Sequence, residues 1–350
     1  MTSKMKWAAA GAVAAALTAG LFYALLSPAR PVLHFYTWAD YIKPELVERF
    51  EREHGCRIVL DTFDSNETMY AKIKAGASGY DLLTPTSYMV KLMNDQGLLQ
   101  PIRRDLVPNL KHVDPEFLAV TIDRTMSHSV PYLLGNAGIA YRKDRVEKFE
   151  PSWTVFDRAD LKGRMTMLND MRETLGAGLK TLGYSLNSRD ERQIREARDV
   201  VIRWKRNLAT FENEAYKSGI ASGEFLVVHG YGSDMLQVQR ENPNVLFVLP
   251  KEGYVICCDD LVILKDAPQA ALAHAFINFL HDPQVAAENS VFTRYRCPNA
   301  AAYPLLPEDL RNDPILFPPK DLWARGEIIL DLGADNAKYV KAWDEVKAAR

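Results

Sequence analysis

The chain has 350 residues, of which 47% are apolar, 25% charged and 10% aromatic. That is length for two domains, and the composition excludes disordered, collagen-like and disulfide-scaffold proteins. With 43 basic against 45 acidic side chains the formal net charge is −2, which offers a nucleic acid no broad electrostatic footprint.

The first segment differs in kind from the rest. Lys4 and Lys6 precede an uncharged run from Trp7 to Leu26, rich in Ala and Leu, and the small residues of Ser27-Pro28-Ala29 follow. This order is that of a secretory signal and predicts export with cleavage after Ala29. The run is also long enough to span a bilayer, so an uncleaved anchor is the alternative. Either way the body of the protein is exported. No Cys lies near the exit that could carry a lipid. Cleavage removes Lys4 and Lys6 and no acid, leaving a more acidic body.

Val32–Tyr36 reads as a strand and Pro44 as the opening of a helix with Leu46, Val47 and Phe50 on one face and Gly55 at its end. Arg57–Phe63 is a second strand; Ser65 or Asn66 caps a helix ending at Gly76. Tyr80–Thr84 is a third strand, followed by a helix from about Tyr88 to Asp95. The βαβαβ order predicts parallel strands with helices on both faces and a ligand beyond their carboxyl ends. Those ends carry Thr37-Trp38-Ala39-Asp40-Tyr41 and Pro85-Thr86-Ser87-Tyr88.

A second α/β set follows Pro131-Tyr132. Strands are predicted at Ala137–Tyr141, Gly163–Leu168, Phe225–His229, Val245–Leu249 and Leu261–Leu264. Helices are predicted from Asp170 through Leu182, from Asp190 to Asn207, after Gly230-Tyr231-Gly232-Ser233-Asp234, and over Ala270–Leu280. Two successive α/β halves with a cleft between them is the architecture this implies.

The acids at strand ends are Asp40, Asp170, Glu173, Asp234, Asp259 and Asp260, interleaved with Trp38, Tyr41, Tyr88 and Tyr231. Carboxylates at fixed separation with aromatic walls between them suit an elongated organic cation. Each residue also has a plainer reading. Asp170 and Glu173 have the spacing of a capping box, Asp234 complements a helix dipole, and Trp38 and Tyr41 cover a sheet edge. Asp260 reads as a solvated, outward-facing carboxylate. Asp259 resists a plain reading, because it sits in an apolar stretch where an unpaired charge is expensive. Cys56, Cys257, Cys258 and Cys297 allow a disulfide after export, with Cys257 or Cys258 joined to Cys56 or Cys297. No CxxC, HExxH or clustered histidine supports a metal, and no cofactor motif is present. No nucleophile elbow or phosphate loop accompanies the acids, so an enzyme is not expected.

The segments His34-Phe-Tyr-Thr-Trp-Ala-Asp-Tyr-Ile42, Asp64-Ser-Asn-Glu-Thr-Met-Tyr-Ala-Lys72 and Tyr80-Asp-Leu-Leu-Thr-Pro-Thr-Ser-Tyr88 resemble the bacterial periplasmic spermidine/putrescine-binding proteins. So do Pro131-Tyr132, Leu249-Pro-Lys-Glu-Gly253 and His281-Asp-Pro-Gln-Val-Ala286, in order along the chain from about residue 32 onward. The resemblance implies an α/β, two-lobed periplasmic binding protein fold of type II-like form with a hinged cleft. It places 30–134 plus about 262–302 in one lobe and 135–261 plus about 303–350 in the other. It implies a monomeric receptor that captures a polyamine and delivers it to the membrane permease of an ABC importer; a polyamine sensor feeding a signalling regulator is the alternative.

The residues it implies for the ligand are Trp38, Asp40, Tyr41, Thr86 and Tyr88 from one lobe, and Asp170, Glu173, Tyr231, Asp234 and Asp259. Three positions depart from the family pattern: Leu134 and Cys257 stand where aromatics are usual, and Ile329 replaces a polar residue. The acids survive better than the walls, which leaves the identity of the amine open.

Overall fold

The computed structural model describes residues 30–349, so the proposed signal segment 1–29 lies outside the described residues. Ten strands run in the order β2-β1-β3-β9-β4-β7-β5-β6, with β10 beside β9 and β8 beside β4. These are β1 (Val32–Trp38), β2 (Arg57–Phe63), β3 (Leu82–Leu83), β4 (Ser129–Arg142), β5 (Met165–Met167), β6 (Leu208–Phe211), β7 (Val227–Tyr231), β8 (Val245–Val248), β9 (Tyr254–Ile263) and β10 (Gly326–Ile328).

The expected βαβαβ unit is present: β1 pairs in parallel with β2 and with β3. The helix Pro44–His54 between them starts on Pro44, whose missing N–H is no loss there, and stops at Gly55. Gly55 takes φ +61, and its N–H closes on Glu51 O, a left-handed cap that a side chain would disfavour. Ser65, not Asn66, caps the next helix, Asn66–Lys74, by accepting the Thr68 N–H at 3.2 Å. Asn66 is thereby freed to turn toward the cleft.

Two strands differ from their expected extent, and both organise the molecule. β4 runs 14 residues rather than the five read from Ala137–Tyr141, and β9 begins at Tyr254 rather than at Leu261. They pair antiparallel from Ser129↔Val262 to Asn136↔Ile256, with an irregularity between Pro131 and Leu133, where proline removes a ladder donor. β4 then continues beside β7 and β8. Each strand therefore passes from one hydrophobic core into another. Val130, Leu133, Leu261 and Ile263 pack with Leu33, Phe35, Phe50 and Phe276. Ile139 packs with Trp153, Trp204, Val227, Tyr339 and Val346. Tyr254, Ile256 and Cys258 of β9 pack in a third cluster with Leu134 and Ala140 of β4. Burying each of these large side chains contributes about 1.5–3 kcal/mol, and the two extended strands link the clusters. The cleft lies beside that junction.

The helices Pro283–Thr293 and Asn336–Ala348 and the short strands β6 and β10 were not anticipated. All four cysteines are free thiols, with Cys56, Cys258 and Cys297 buried, so the disulfide considered above is not formed. No described helix is long and apolar enough to cross a membrane.

Candidate functional site

β1 and β3 are parallel, so their carboxyl ends meet at one edge of the sheet, and the crossing strand β9 passes beside them. A cleft lies there whose free space, open mouth included, is about 1030 Å3. Trp38 ends β1; its Nε1 donates to Thr84 O at 2.9 Å, and its ring packs on Phe63 at 4.4 Å between centroids. Tyr41, in the turn that follows, donates its hydroxyl to Asp259 Oδ2 at 2.5 Å and lays its ring near Tyr295 at 5.0 Å. Thr86, after β3, donates to Asp259 Oδ1 at 2.7 Å. Asn66 holds Thr86 from both sides, donating to its hydroxyl and accepting its N–H, each at 3.0 Å. Tyr88 lines the same wall and donates to Glu67 Oε1 at 3.1 Å.

Asp259 is 4% exposed and has two neutral hydroxyls for partners. Loss of water pushes its carboxyl up to about 6, and the two hydroxyls offset only part of that.

The opposite wall supplies further acids. Asp170 caps the helix Met171–Thr181 with Oδ1, which accepts the N–H groups of Arg172 at 2.8 Å and Glu173 at 2.9 Å. The capping reading is therefore correct, yet it uses one oxygen only. Oδ2 takes no hydrogen bond from a described residue, and Asp170 lines the cleft. Glu173, one turn into the helix, is 3% exposed; Cys257 Sγ donates to its Oε1 at 3.4 Å, while Oε2 has no partner. Desolvation, then the charge of Asp170, drives the Glu173 carboxyl well above the carboxylate range. Asp234 opens the helix Gly232–Glu241 and accepts the Tyr216 hydroxyl. Its carboxyl is raised by desolvation, with Lys217 and Tyr216 acting the other way. Tyr231, at the end of β7, completes this wall.

Among the described residues, none of Asp170, Glu173, Asp234 and Asp259 forms an ion pair with Lys or Arg. Arg172 lines the cleft, but its guanidinium points to Leu330 O at 3.0 Å and Asn187 Oδ1 at 2.9 Å and sits over the Tyr339 ring. No described cluster of three His, Cys, Asp or Glu side chains is arranged to hold a metal ion. What the arrangement can do is compensate an organic cation with separated positive ends.

Nine of the ten expected residues line this cleft; Asp40 does not. It is exposed in the turn after β1 with φ +58, a conformation Asp tolerates better than most residues, and its charge reaches the cleft only as a field that raises Asp234. Asp260, expected in solvent, is 0% exposed. β9 extends through it, so strand alternation turns it to the face opposite Asp259. There Ser87, Thr121 and Ser129 hydroxyls donate to it.

Of the three departures from the family pattern, Cys257 and Ile329 line the cleft, whereas Leu134 is buried in a core. Tyr295, Asn66, Asn136 and Lys217 also line it and were not singled out from sequence. Tyr295 needs Gly135: a Cβ there would lie 2.6 Å from its Cε1. Nothing local in the sequence announces that contact, since 160 residues separate the two.

The sequence matches the profile of the bacterial extracellular solute-binding proteins over residues 45–318. It is 32% identical over 347 residues to the spermidine/putrescine-binding periplasmic protein of Salmonella typhimurium, covering 99% of each chain. It is 33% identical over 329 residues to the putrescine/cadaverine-binding protein of Pseudomonas aeruginosa, covering 90% of this chain and 93% of that one. In structure it is similar to the Tp0655 (TpPotD) lipoprotein of Treponema pallidum, with a TM-score of 0.82 and 34% identity over 90% of this chain and 99% of that one. The α/β architecture, the acid-lined cleft and these matches agree: the chain belongs to the bacterial extracellular solute-binding proteins, which are receptors rather than enzymes.

Proposed function

We propose that this protein captures a polyamine of the putrescine or spermidine type outside the cytoplasm and delivers it to the membrane permease of an ABC importer. The observation that carries the reading is the set of four cleft carboxylates, Asp170, Glu173, Asp234 and Asp259, with no Lys or Arg of the described residues in ion-pair contact. Unpaired buried carboxylates are unfavourable until a cation arrives; two ammonium groups on a methylene chain meet that need at separated points. Trp38, Tyr41, Tyr88 and Tyr231 supply the flat walls for the methylenes, and Thr86 holds Asp259 in place. Asp40 adds negative potential at the rim.

In this reading the lobes comprise 30–134 with about 262–302, and 135–261 with about 303–350. They close on the ligand by bending where β4 and β9 cross. The protein acts as a monomer, exported by residues 1–29, with no cofactor or metal in the cleft. The curated relatives named for spermidine, putrescine and cadaverine support this ligand class.

A thermal-shift screen of putrescine, cadaverine, spermidine, neutral and acidic amino acids, and divalent metals tests it. A ligand at about a hundredfold excess over Kd adds about 2.7 kcal/mol, which raises Tm by about 5 °C for a chain of this size. Shifts confined to the polyamines are the expected result. Shifts from an amino acid or metal, with none from any polyamine, contradict the reading.

A further inference from the structure

On β7 the His229 side chain is fully buried, and neither ring nitrogen has a hydrogen-bond partner among the described residues. A buried polar group without a partner is unfavourable and calls for an explanation. Its Nε2 lies 3.8 Å from Glu173 Oε2, the one carboxylate oxygen of Glu173 that is also unpartnered. The other oxygen, Oε1, is met by Cys257. His229 thus faces the oxygen that Cys257 leaves free, on a carboxyl group that also lines the cleft.

Among the described residues no carboxylate other than Glu173 comes within ion-pair distance of His229. The Trp153 ring stands edge-on at 4.8 Å, and Ile139 is its register partner on β4. The helix Met171–Thr181 brings only Glu173, with Asp170 and Arg172 acting through it. Burial pushes the imidazole down to about 3, so at pH 7 it is neutral, with one N–H to place.

Building on the polyamine reading, we propose that His229 is a positioning residue for Glu173. When a ligand ammonium docks from the cleft and Glu173 ionises, the carboxyl proton leaves to water through the open mouth. His229 stays neutral and donates its Nε2–H to Oε2. The buried carboxylate is then hydrogen-bonded at both oxygens while it faces the cation. A shift of roughly 1 Å brings the pair into hydrogen-bond range, and lobe closure supplies a motion of that kind.

The test is calorimetric titration of putrescine and spermidine between pH 5.5 and 8.5 with His229→Phe, His229→Gln, Glu173→Gln and the Phe/Gln double variant. His229→Phe keeps the ring shape and removes the donor. It weakens binding about tenfold at pH 7, the effect of one hydrogen bond to a charged group. It also moves the acid limb of the affinity profile up by about one pH unit, as a tenfold harder ionisation requires. His229→Gln, whose amide can donate, stays within about threefold of wild type with an unshifted profile. In the Glu173→Gln background His229→Phe adds nothing further.

Equal losses for Phe and Gln with no movement of the pH profile would mean that His229 only fills space, and would overturn the proposal. Nitrogen NMR of the unliganded protein, labelled at histidine, gives an arm that needs no amine. At pH values where Glu173 is ionised it should find a neutral Nε2–H tautomer, with a shift that changes as Glu173 is protonated and loses that dependence in Glu173→Gln. An Nδ1–H tautomer while Glu173 is ionised, or a shift blind to Glu173, overturns the proposal by itself. A wild-type protein that binds no polyamine, with the NMR result as expected, refutes the ligand assignment and leaves the pairing of His229 with Glu173 standing.

Discussion

Asp259 and Asp260 are neighbours on β9, both buried, yet they belong to two different regions of the molecule. Asp260 faces an internal knot where Ser87, Thr121 and Ser129 surround it with hydroxyl donors and Cys258 approaches at 3.6 Å. Asp259 faces the cleft with one hydroxyl on each oxygen and open space beyond. Removal from water raises both carboxyls, to about 7 and about 6 respectively. The difference lies in what remains unsatisfied. The knot is complete within the protein and ties the segments at Ser87, Thr121 and Ser129 to β9. The cleft carboxylate has open space beyond its two hydroxyls, and in the proposed function a cation from outside completes it and the three others around it. A buried acid is a sign of function here when its partners stop short, not because it is buried.

Substitution separates the two regions most sharply. Asp259→Ala should cost at least about a hundredfold in polyamine affinity, since breaking one side of a buried charge pair is worth about 3–5 kcal/mol. Asp260→Ala should leave affinity within about threefold and instead lower the stability of the unliganded protein by about 2–3 kcal/mol, through orphaned hydroxyls. Calorimetry and chemical denaturation on both variants check the pair. Similar effects of the two substitutions on binding would erase the distinction.

The pH dependence of stability comes next in size. A carboxyl raised in the folded state binds its proton more tightly there than in the unfolded chain, so stability falls as pH rises from the unfolded value through the folded one. For Asp259 that window runs from about 4 to about 6, and a rise of about two units corresponds to about 3 kcal/mol. Unliganded Asp259→Asn should therefore match wild type near pH 4 and exceed it at pH 8 by up to that amount. Saturating diamine should close the gap by stabilising wild type. An Asn variant that is less stable than wild type at pH 8 would contradict the claim that the bare carboxylate is unfavourable.

The aromatic walls give the smallest effect. Tyr231→Leu should weaken polyamine binding about fivefold, in keeping with a cation–π contribution of about 0.5–2 kcal/mol. A loss as large as that from Asp259→Ala would shift the account from charge to stacking.

How much of this was legible in the sequence follows from what each residue depends on. Trp38, Tyr41, Thr86 and Tyr88 were readable because strand ends are local patterns and parallel strands bring their carboxyl ends together. Asp170 was readable as a cap, and the cap is real; a ligand role for it came only from the family resemblance, because the D-x-x-E spacing does not show that capping occupies one oxygen and leaves Oδ2 free. Asp260 was misread because β9 was expected to begin at Leu261, so the alternation that turns it inward was not counted. Asp40 does not line the cleft because it sits in a left-handed turn at the rim, which a residue pattern does not reveal. Tyr295 and His229 carry no local signal, since one depends on Gly135 far earlier in the chain and the other on a helix more than fifty residues before it. The long crossing of β4 was hidden by Pro131 and Gly135, which punctuate a sequence like loop residues although this strand tolerates both.

The central claim is that unpaired cleft carboxylates compensate a guest with two separated positive charges. The most direct measurement is calorimetry of the wild-type protein with putrescine and with 1,4-butanediol, which has the same chain and carries hydroxyls in place of the ammonium groups. The account predicts saturable binding of putrescine, weakened by salt and by pH below about 6, with no detectable binding of the diol. Binding of the diol as tight as that of putrescine would contradict it.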